Sequence, residues 1–323
     1  MEASRSHIIT VSLVIMGVVL AFLAGYFAKE WFGSAAEEYR ERHSGGFSFV
    51  SPLLECETAE STKELAIFEH RIQKLLDEAT DRGDITEASV YFRDLNNGPW
   101  FGVNEQALFS PASLLKVPRM IAYFKEAENN PSLLEKKIRY EPEADLDLMQ
   151  NFAPGRKLES GKEYTVEQLI EQMIVYSENS AKEILAGADE YFADAIYADL
   201  GMMVPGTGKL ENFMSVKEYA SFFRILYNAS YLSPYYSNKA LELLSRTDFR
   251  DGLVAGVPKG VTVAHKFGER GLGDIKQLHD CGVIYERTHP YLLCVMTRGK
   301  DFGPLKQTIQ AISRETYSAV TSQ

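Results

Sequence analysis

A serine and a lysine one helical turn apart, Ser113 and Lys116 in "SPASLLKVPRM", have the types and spacing for nucleophilic chemistry. Pro111 marks the start of a helical pattern. Ser113 then falls in the first turn, where unbonded backbone N–H groups favour developing negative charge. The i, i+3 spacing brings the Lys116 amine to the same face as the Ser113 hydroxyl. Leu114, Leu115, Val117, Met120, Ile121 and Phe124 surround the pair and predict a buried helix. Burial favours the uncharged amine, and an uncharged amine can take the proton of a serine hydroxyl. S-x-x-K alone is a weak signal, because a lysine snorkelling to water from an ordinary helix satisfies it equally.

Two further tripeptides could complete such a site. Ser177-Glu178-Asn179, in "YSENSAKEIL", sits where one helical pattern ends and the next begins. A hydroxyl and an amide at that junction can face a cleft, although a plain N-cap serine is the other reading. Lys266-Phe267-Gly268, in "VTVAHKFGERG", closes a β-rich run. An edge strand with a glycine there can receive an extended substrate backbone; the alternative is a solvated strand-end lysine. His265 reads as a packed strand residue.

In chain order, S-x-x-K, S-[DE]-N and K-x-G resemble the active-site set of penicillin-recognising serine enzymes. The tail, "GLVAGVPKGVTVAHKFG", "HDCGVIY" and "YLLCVMTRG", is similar to the closing strands of class A β-lactamases. The resemblance spans residues 63–323. It implies Ser113 as the acylated nucleophile, Lys116 as its base and Ser177 as proton donor to the departing nitrogen. It implies that Lys266 stabilises charge near Ser177 and attracts a substrate carboxylate, while Asn179 bonds the substrate's amide side chain. The backbone N–H groups of Ser113 and of Glu269, just past Gly268, would form an oxyanion hole, with Arg270 as a second carboxylate contact. The implied substrates are a β-lactam or the D-alanyl-D-alanine end of a peptidoglycan stem peptide, with no cofactor and no metal.

Three departures from that pattern bear on activity. Glu178 stands for the usual Asp and keeps its charge. Phe267 stands where Thr or Ser offers a hydroxyl to the substrate carboxylate, which shifts that recognition toward Lys266 and Arg270. The stretch from Leu200 to Tyr219 is too short for the long loop whose glutamate activates water for deacylation; Glu211 is the nearest candidate and reads as a surface residue. Without a water-activating base an acyl-enzyme forms but leaves slowly. The sequence thus fits β-lactamase or DD-peptidase chemistry. A non-catalytic envelope binding or scaffold module derived from the same fold is the alternative, and a glutaminase-like amide hydrolase a weaker one.

The elements that must position these residues are legible from periodicity. A helix begins at Lys63 and ends near Gly83, and a hairpin follows around an Asn-Asn-Gly turn. Helical patterns run from Pro111 to about Arg250, with Thr165 and Gln168 spaced as a capping box. Three strands and a closing helix from about Pro304 complete the chain. This order predicts one α+β unit: an antiparallel sheet built from distant segments, helices on its faces, and a helical subdomain to one side. A cleft is expected where that subdomain meets the sheet.

Composition is that of a globular chain, 45% hydrophobic and 24% charged over 323 residues. A net charge of −11, with no Lys/Arg-rich block, argues against a nucleic-acid partner. Cys56, Cys281 and Cys294 lack zinc spacing. Cys281 and Cys294 fall on neighbouring strands and read as two buried thiols, with a disulfide open if register places them opposite. Residues 8–28 carry no charge, and at roughly 1.5 Å per residue such a run spans a bilayer core of about 30 Å. They read as a single transmembrane anchor after a cytoplasmic tail, residues 1–7. Residues 29–62 read as a linker, and residues 63–323 as the catalytic domain on the extracytoplasmic side. A cleaved signal peptide is the alternative.

Overall fold

Apolar side chains along one helical stripe form α1 (Lys63–Asp81), which buries Phe68, Ile72 and Leu76. The chain leaves it through Gly83, at a φ of +77° that glycine adopts without strain. The expected hairpin follows as β1 (Glu87–Asp94) and β2 (Trp100–Val103), with Val90 opposite Val103. The structure, a computed structural model, describes residues 47–51, 63–96, 98–142, 146, 150–188, 192–206, 211–271 and 273–322. The apolar run at 8–28 lies outside them. Among the described residues no helix is long and apolar enough to cross a membrane.

The middle of the chain forms β3 (Leu108–Phe109), a 3-10 turn (Ala112–Leu115), α2 (Lys116–Asn129), β4 (Lys137–Arg139), β5 (Glu163–Thr165) and α3 (Val166–Val175). It continues through α4 (Asn179–Ala188), α5 (Phe192–Asp199), β6 (Met214–Ser215), α6 (Val216–Tyr227) and α7 (Pro234–Ser245). The capping box at Thr165 and Gln168 is present, and Ser215 with Glu218 makes a second. Two short antiparallel pairs, β3 with β6 and β4 with β5, interrupt a stretch whose pattern predicts helix. Each ties down the chain just before a capped helix, where local hydrophobic periodicity carries no signal for so short a strand.

The tail supplies β7 (Thr262–Arg270), β8 (Lys276–Tyr285), β9 (Tyr291–Gly299) and α8 (Phe302–Thr321). The five-stranded sheet has the order β2-β1-β9-β8-β7, antiparallel throughout, so β7 is an edge strand. Alternate residues of each strand face opposite sides. Tyr91, Val283, Leu292 and Met296 join the helical subdomain on one face. Val90, Phe92, Leu278, Ile284 and Val295 join α1 and α8 on the other.

Register decides the cysteines. Cys281 pairs directly with Cys294, their Cα atoms 4.0 Å apart, and a disulfide joins them. The expectation of two thiols is corrected here, since it turned on a register that residue types do not encode. Within the stretch expected to be linker, residues 47–51 lie against the folded unit. Phe49 N–H donates to Asn238 Oδ1 (3.0 Å), Tyr285 Oη–H donates to the Phe49 carbonyl (3.0 Å), and Val50 is buried.

Candidate active site

The turn that carries Ser113 is held by three side chains from distant segments. Ser113 sits in the 3-10 turn, and Lys116 is the first residue of α2 rather than a residue one turn inside it. Ala112 precedes them at a φ of +49°, an uncommon conformation for a residue with a side chain. Gln277 Oε1 accepts from Ser110 N–H (3.0 Å), and Tyr219 Oη–H donates to the Leu114 carbonyl (3.0 Å). His279 contacts the Ser110 carbonyl through Nε2 (3.0 Å) and accepts Thr297 N–H at Nδ1 (3.3 Å). Nε2 therefore carries the proton of a neutral ring. Burial keeps it neutral, pushing its pKa down to about 4.

Gly268 explains how close the edge strand lies to this turn. A Cβ there would stand 2.8 Å from the Pro111 carbonyl oxygen and 3.1 Å from Leu114 N. Any side chain would push β7 away from Ser113. The glycine of K-x-G is thus a spacing device between two backbones.

Lys116 is buried. Its Nζ donates to the Ser177 carbonyl (2.6 Å) and to Asn179 Oδ1 (2.8 Å), and lies 3.2 Å from Ser177 Oγ. Ser177 occupies the junction between α3 and α4 at a φ of +57°, a strained conformation of the kind that surrounding bonds must hold. Glu178 is also buried, and its carboxylate accepts from Ala181 N–H in the first turn of α4. The Asp-to-Glu departure thus leaves an acidic helix cap in place.

Lys266 completes the cluster from β7. Fully buried, its Nζ donates to Ser177 Oγ (2.9 Å) and to the Phe267 carbonyl (2.9 Å). Burial drives its pKa down to about 7, against the partial support of Asp280, Asp248 and Glu269. Two amines thus converge on one hydroxyl. A serine oxygen that accepts from both keeps its own proton for a third group.

Above this floor lies a cavity of about 420 Å³, lined by Ser113, Lys116, Asn179, Glu269 and Arg270 among others. Ser177 and Lys266 are not on its wall; they reach it through Lys116 and Asn179. Gln150 also lines it, and its Nε2 donates to the Ser177 carbonyl (3.4 Å). Phe267 points elsewhere. Its ring stacks on Phe249 (4.1 Å between centroids), and Phe152 packs edge-on against both. Phe152 N–H donates to Glu269 Oε1 (2.8 Å). Glu211 is exposed, as expected, and pairs with Arg270 at the cavity rim.

Gln150, Tyr219, Gln277 and His279 were not legible as site residues. Each acts on a backbone carbonyl or N–H of a distant segment, and such contacts leave no motif.

Residues 67–320 match the beta-lactamase enzyme family. Among solved structures the chain is similar to a PBP-A mutant captured as an acyl-enzyme complex with penicillin G, at 22% identity and a TM-score of 0.67, over 80% of this chain and 98% of that one. It is similar to the TLA-3 extended-spectrum beta-lactamase at 16% identity and a TM-score of 0.68, over 79% and 98% of the two chains. A beta-lactamase from Sphaerobacter thermophilus is 21% identical, with a TM-score of 0.66 over 78% and 97%. A search of curated proteins finds no match. The likenesses show a shared fold and cover nearly the whole of each solved chain.

Proposed function

The chain belongs to the beta-lactamase enzyme family, and from that premise we propose that it is a penicillin-binding serine enzyme. In this reading Ser113 is acylated by β-lactams and by D-alanyl-D-alanine peptides, and the acyl group leaves slowly. The observation that carries the proposal is the convergence of Lys116 and Lys266 on Ser177, beside a cavity that Ser113 and Lys116 share.

The steps follow from the donor inventory. In its neutral form Lys116 has two N–H donors and one lone pair. The Ser177 carbonyl and Asn179 Oδ1 take these two donors; the lone pair takes the Ser113 proton, and the third N–H so formed is the one that Ser177 Oγ accepts. Ser113 Oγ attacks the substrate carbonyl, and the N–H groups of Ser113 and Glu269 receive the oxyanion. Such a donor typically contributes about 3 kcal/mol. The carbonyl–nitrogen bond then breaks as Ser177 Oγ gives its proton to the nitrogen. Lys116, 3.2 Å away, returns to Ser177 the proton it took from Ser113. Lys266 holds positive charge beneath that transfer, and Asn179 and Arg270 are the substrate contacts.

Slow release rests on the carboxylates. Glu269 is the one carboxylate among the described residues lining the cavity, and it holds Phe152 N–H. Glu211, the other candidate, is engaged by Arg270 at the rim. The shortness of the stretch from Leu200 to Tyr219, which leaves no room for the family's long glutamate-bearing loop, supports a lasting adduct and peptidase chemistry over rapid β-lactam turnover. Intact-protein mass after incubation with penicillin G tests this: wild type gains one penicillin and Ser113→Ala gains none. Steady nitrocefin turnover would instead make the protein a β-lactamase, and no adduct with any acylating probe would make it a binding module.

We also propose that residues 8–28 anchor the domain on the outer side of a membrane, where cell-wall peptides lie. Their 21 uncharged residues support this. The full chain should then sediment with membranes, and a chain starting at Gly45 should not.

A further inference from the structure

Resting on the acyl-enzyme reading, a specificity question follows: which group meets the substrate's free carboxylate. Phe267, at the position of the family's hydroxyl, turns its ring into the aromatic cluster with Phe249 and Phe152. Lys266 has no exposed surface, and its Nζ is engaged by Ser177 Oγ and the Phe267 carbonyl. Three cations line the cavity among the described residues: Lys116, Lys182 and Arg270. Lys116 is bound to Ser177 and Asn179 at the floor, and Lys182 stands on α4, paired with Glu183 at 2.6 Å. Arg270 alone of these ends the edge strand β7, where an extended substrate would lie alongside. Its planar fork suits a carboxylate.

That fork already holds a carboxylate. Arg270 Nη2 pairs with Glu211 Oε1; the Glu211 side chain is 55% exposed and that of Arg270 25%. We propose that Glu211 is a resident competitor for the substrate carboxylate at Arg270, and so sets how strongly the cleft prefers anionic substrates. An exposed pair of this kind is weak, so an entering carboxylate can displace it. The Glu211 side chain, 55% exposed, has water to receive its charge once displaced. Glu211 thereby lowers affinity for carboxylate-bearing ligands and leaves their neutral analogues untouched.

Penicillin G and its methyl ester differ in this one charge. Their non-covalent binding to the Ser113→Ala protein, followed by NMR titration at low ionic strength, separates the proposal from acylation. Adding Glu211→Gln should tighten penicillin G by up to about fivefold and leave the ester unchanged. Adding Arg270→Gln should weaken penicillin G by roughly 10- to 100-fold, again without effect on the ester. Unchanged or weaker acid binding in Glu211→Gln overturns the proposal. So does equal weakening of acid and ester in Arg270→Gln, or failure of Ser113→Ala to bind the acid. If this charge pattern holds but wild type forms no adduct, the acyl-enzyme reading fails and the competitor stands. If the adduct forms without the pattern, only the competitor fails.

Discussion

Lys266 shows how a single side chain couples the site to pH. Its ordinary pKa of 10.5 falls to about 7 because burial penalises the charged form. In the proposed mechanism the charged form steadies proton transfer at Ser177, so acylation should fall as pH rises through about 7. A pH profile of penicillin acylation checks this, and Lys266→Met should abolish that limb and slow acylation about a hundredfold or more. The linkage has the opposite sign for stability. Between about 7 and 10.5 the unfolded lysine holds a proton that the folded one has lost, so this group's contribution to unfolding free energy rises with pH across that window. Lys116 carries the other burden. Lys116→Ala should lower acylation by about 10²- to 10⁴-fold, the usual range for a positioned base, with the fold retained by circular dichroism.

At the scale of elements, the distance between β7 and the 3-10 turn decides whether the site assembles. Gly268→Ala would place a methyl group 2.8 Å from the Pro111 carbonyl, closer than such atoms approach. The turn must move, and a shift near 1 Å at a nucleophile can cost about a hundredfold in rate. Acylation kinetics with an unchanged melting temperature would separate this from unfolding. Phe267 tests the opposite face of the same strand. Phe267→Thr restores the family's hydroxyl but removes a ring from the Phe249–Phe152 cluster. It should destabilise by about 3 kcal/mol in urea unfolding. It should bring no faster acylation, because that side chain faces the aromatic cluster and not the cavity wall.

For the molecule as a whole, two cores on opposite faces of one sheet hold the helical subdomain and the terminal helices in register. The Cys281–Cys294 disulfide crosses β8 and β9 inside the first of them, with 13 residues of separation. A closed loop of that length contributes at most about 3 kcal/mol through the unfolded chain. Replacing both cysteines by alanine should lower urea stability within that bound. Acylation should be unchanged, since neither sulfur lines the cavity.

The sequence alone determined the long helices, the hairpin, the closing strands and the three short motifs, because hydrophobic periodicity and turn residues act locally; the short pairs β3–β6 and β4–β5 left no such signal. Ser113, Lys116, Ser177, Asn179 and Lys266 were legible as candidates for the same reason: each motif lies within four consecutive positions. Tertiary structure alone decided what those residues touch. That both lysines meet at Ser177 depends on α2, the α3–α4 junction and β7 coming together from segments 61 and 89 residues apart. The glycine's closeness to Pro111, the cysteine register, the turn of Phe267 into its cluster and the Arg270–Glu211 pair depend likewise on packing between distant segments. Residue types state what a side chain can do, and only the packed chain sets which partner it finds.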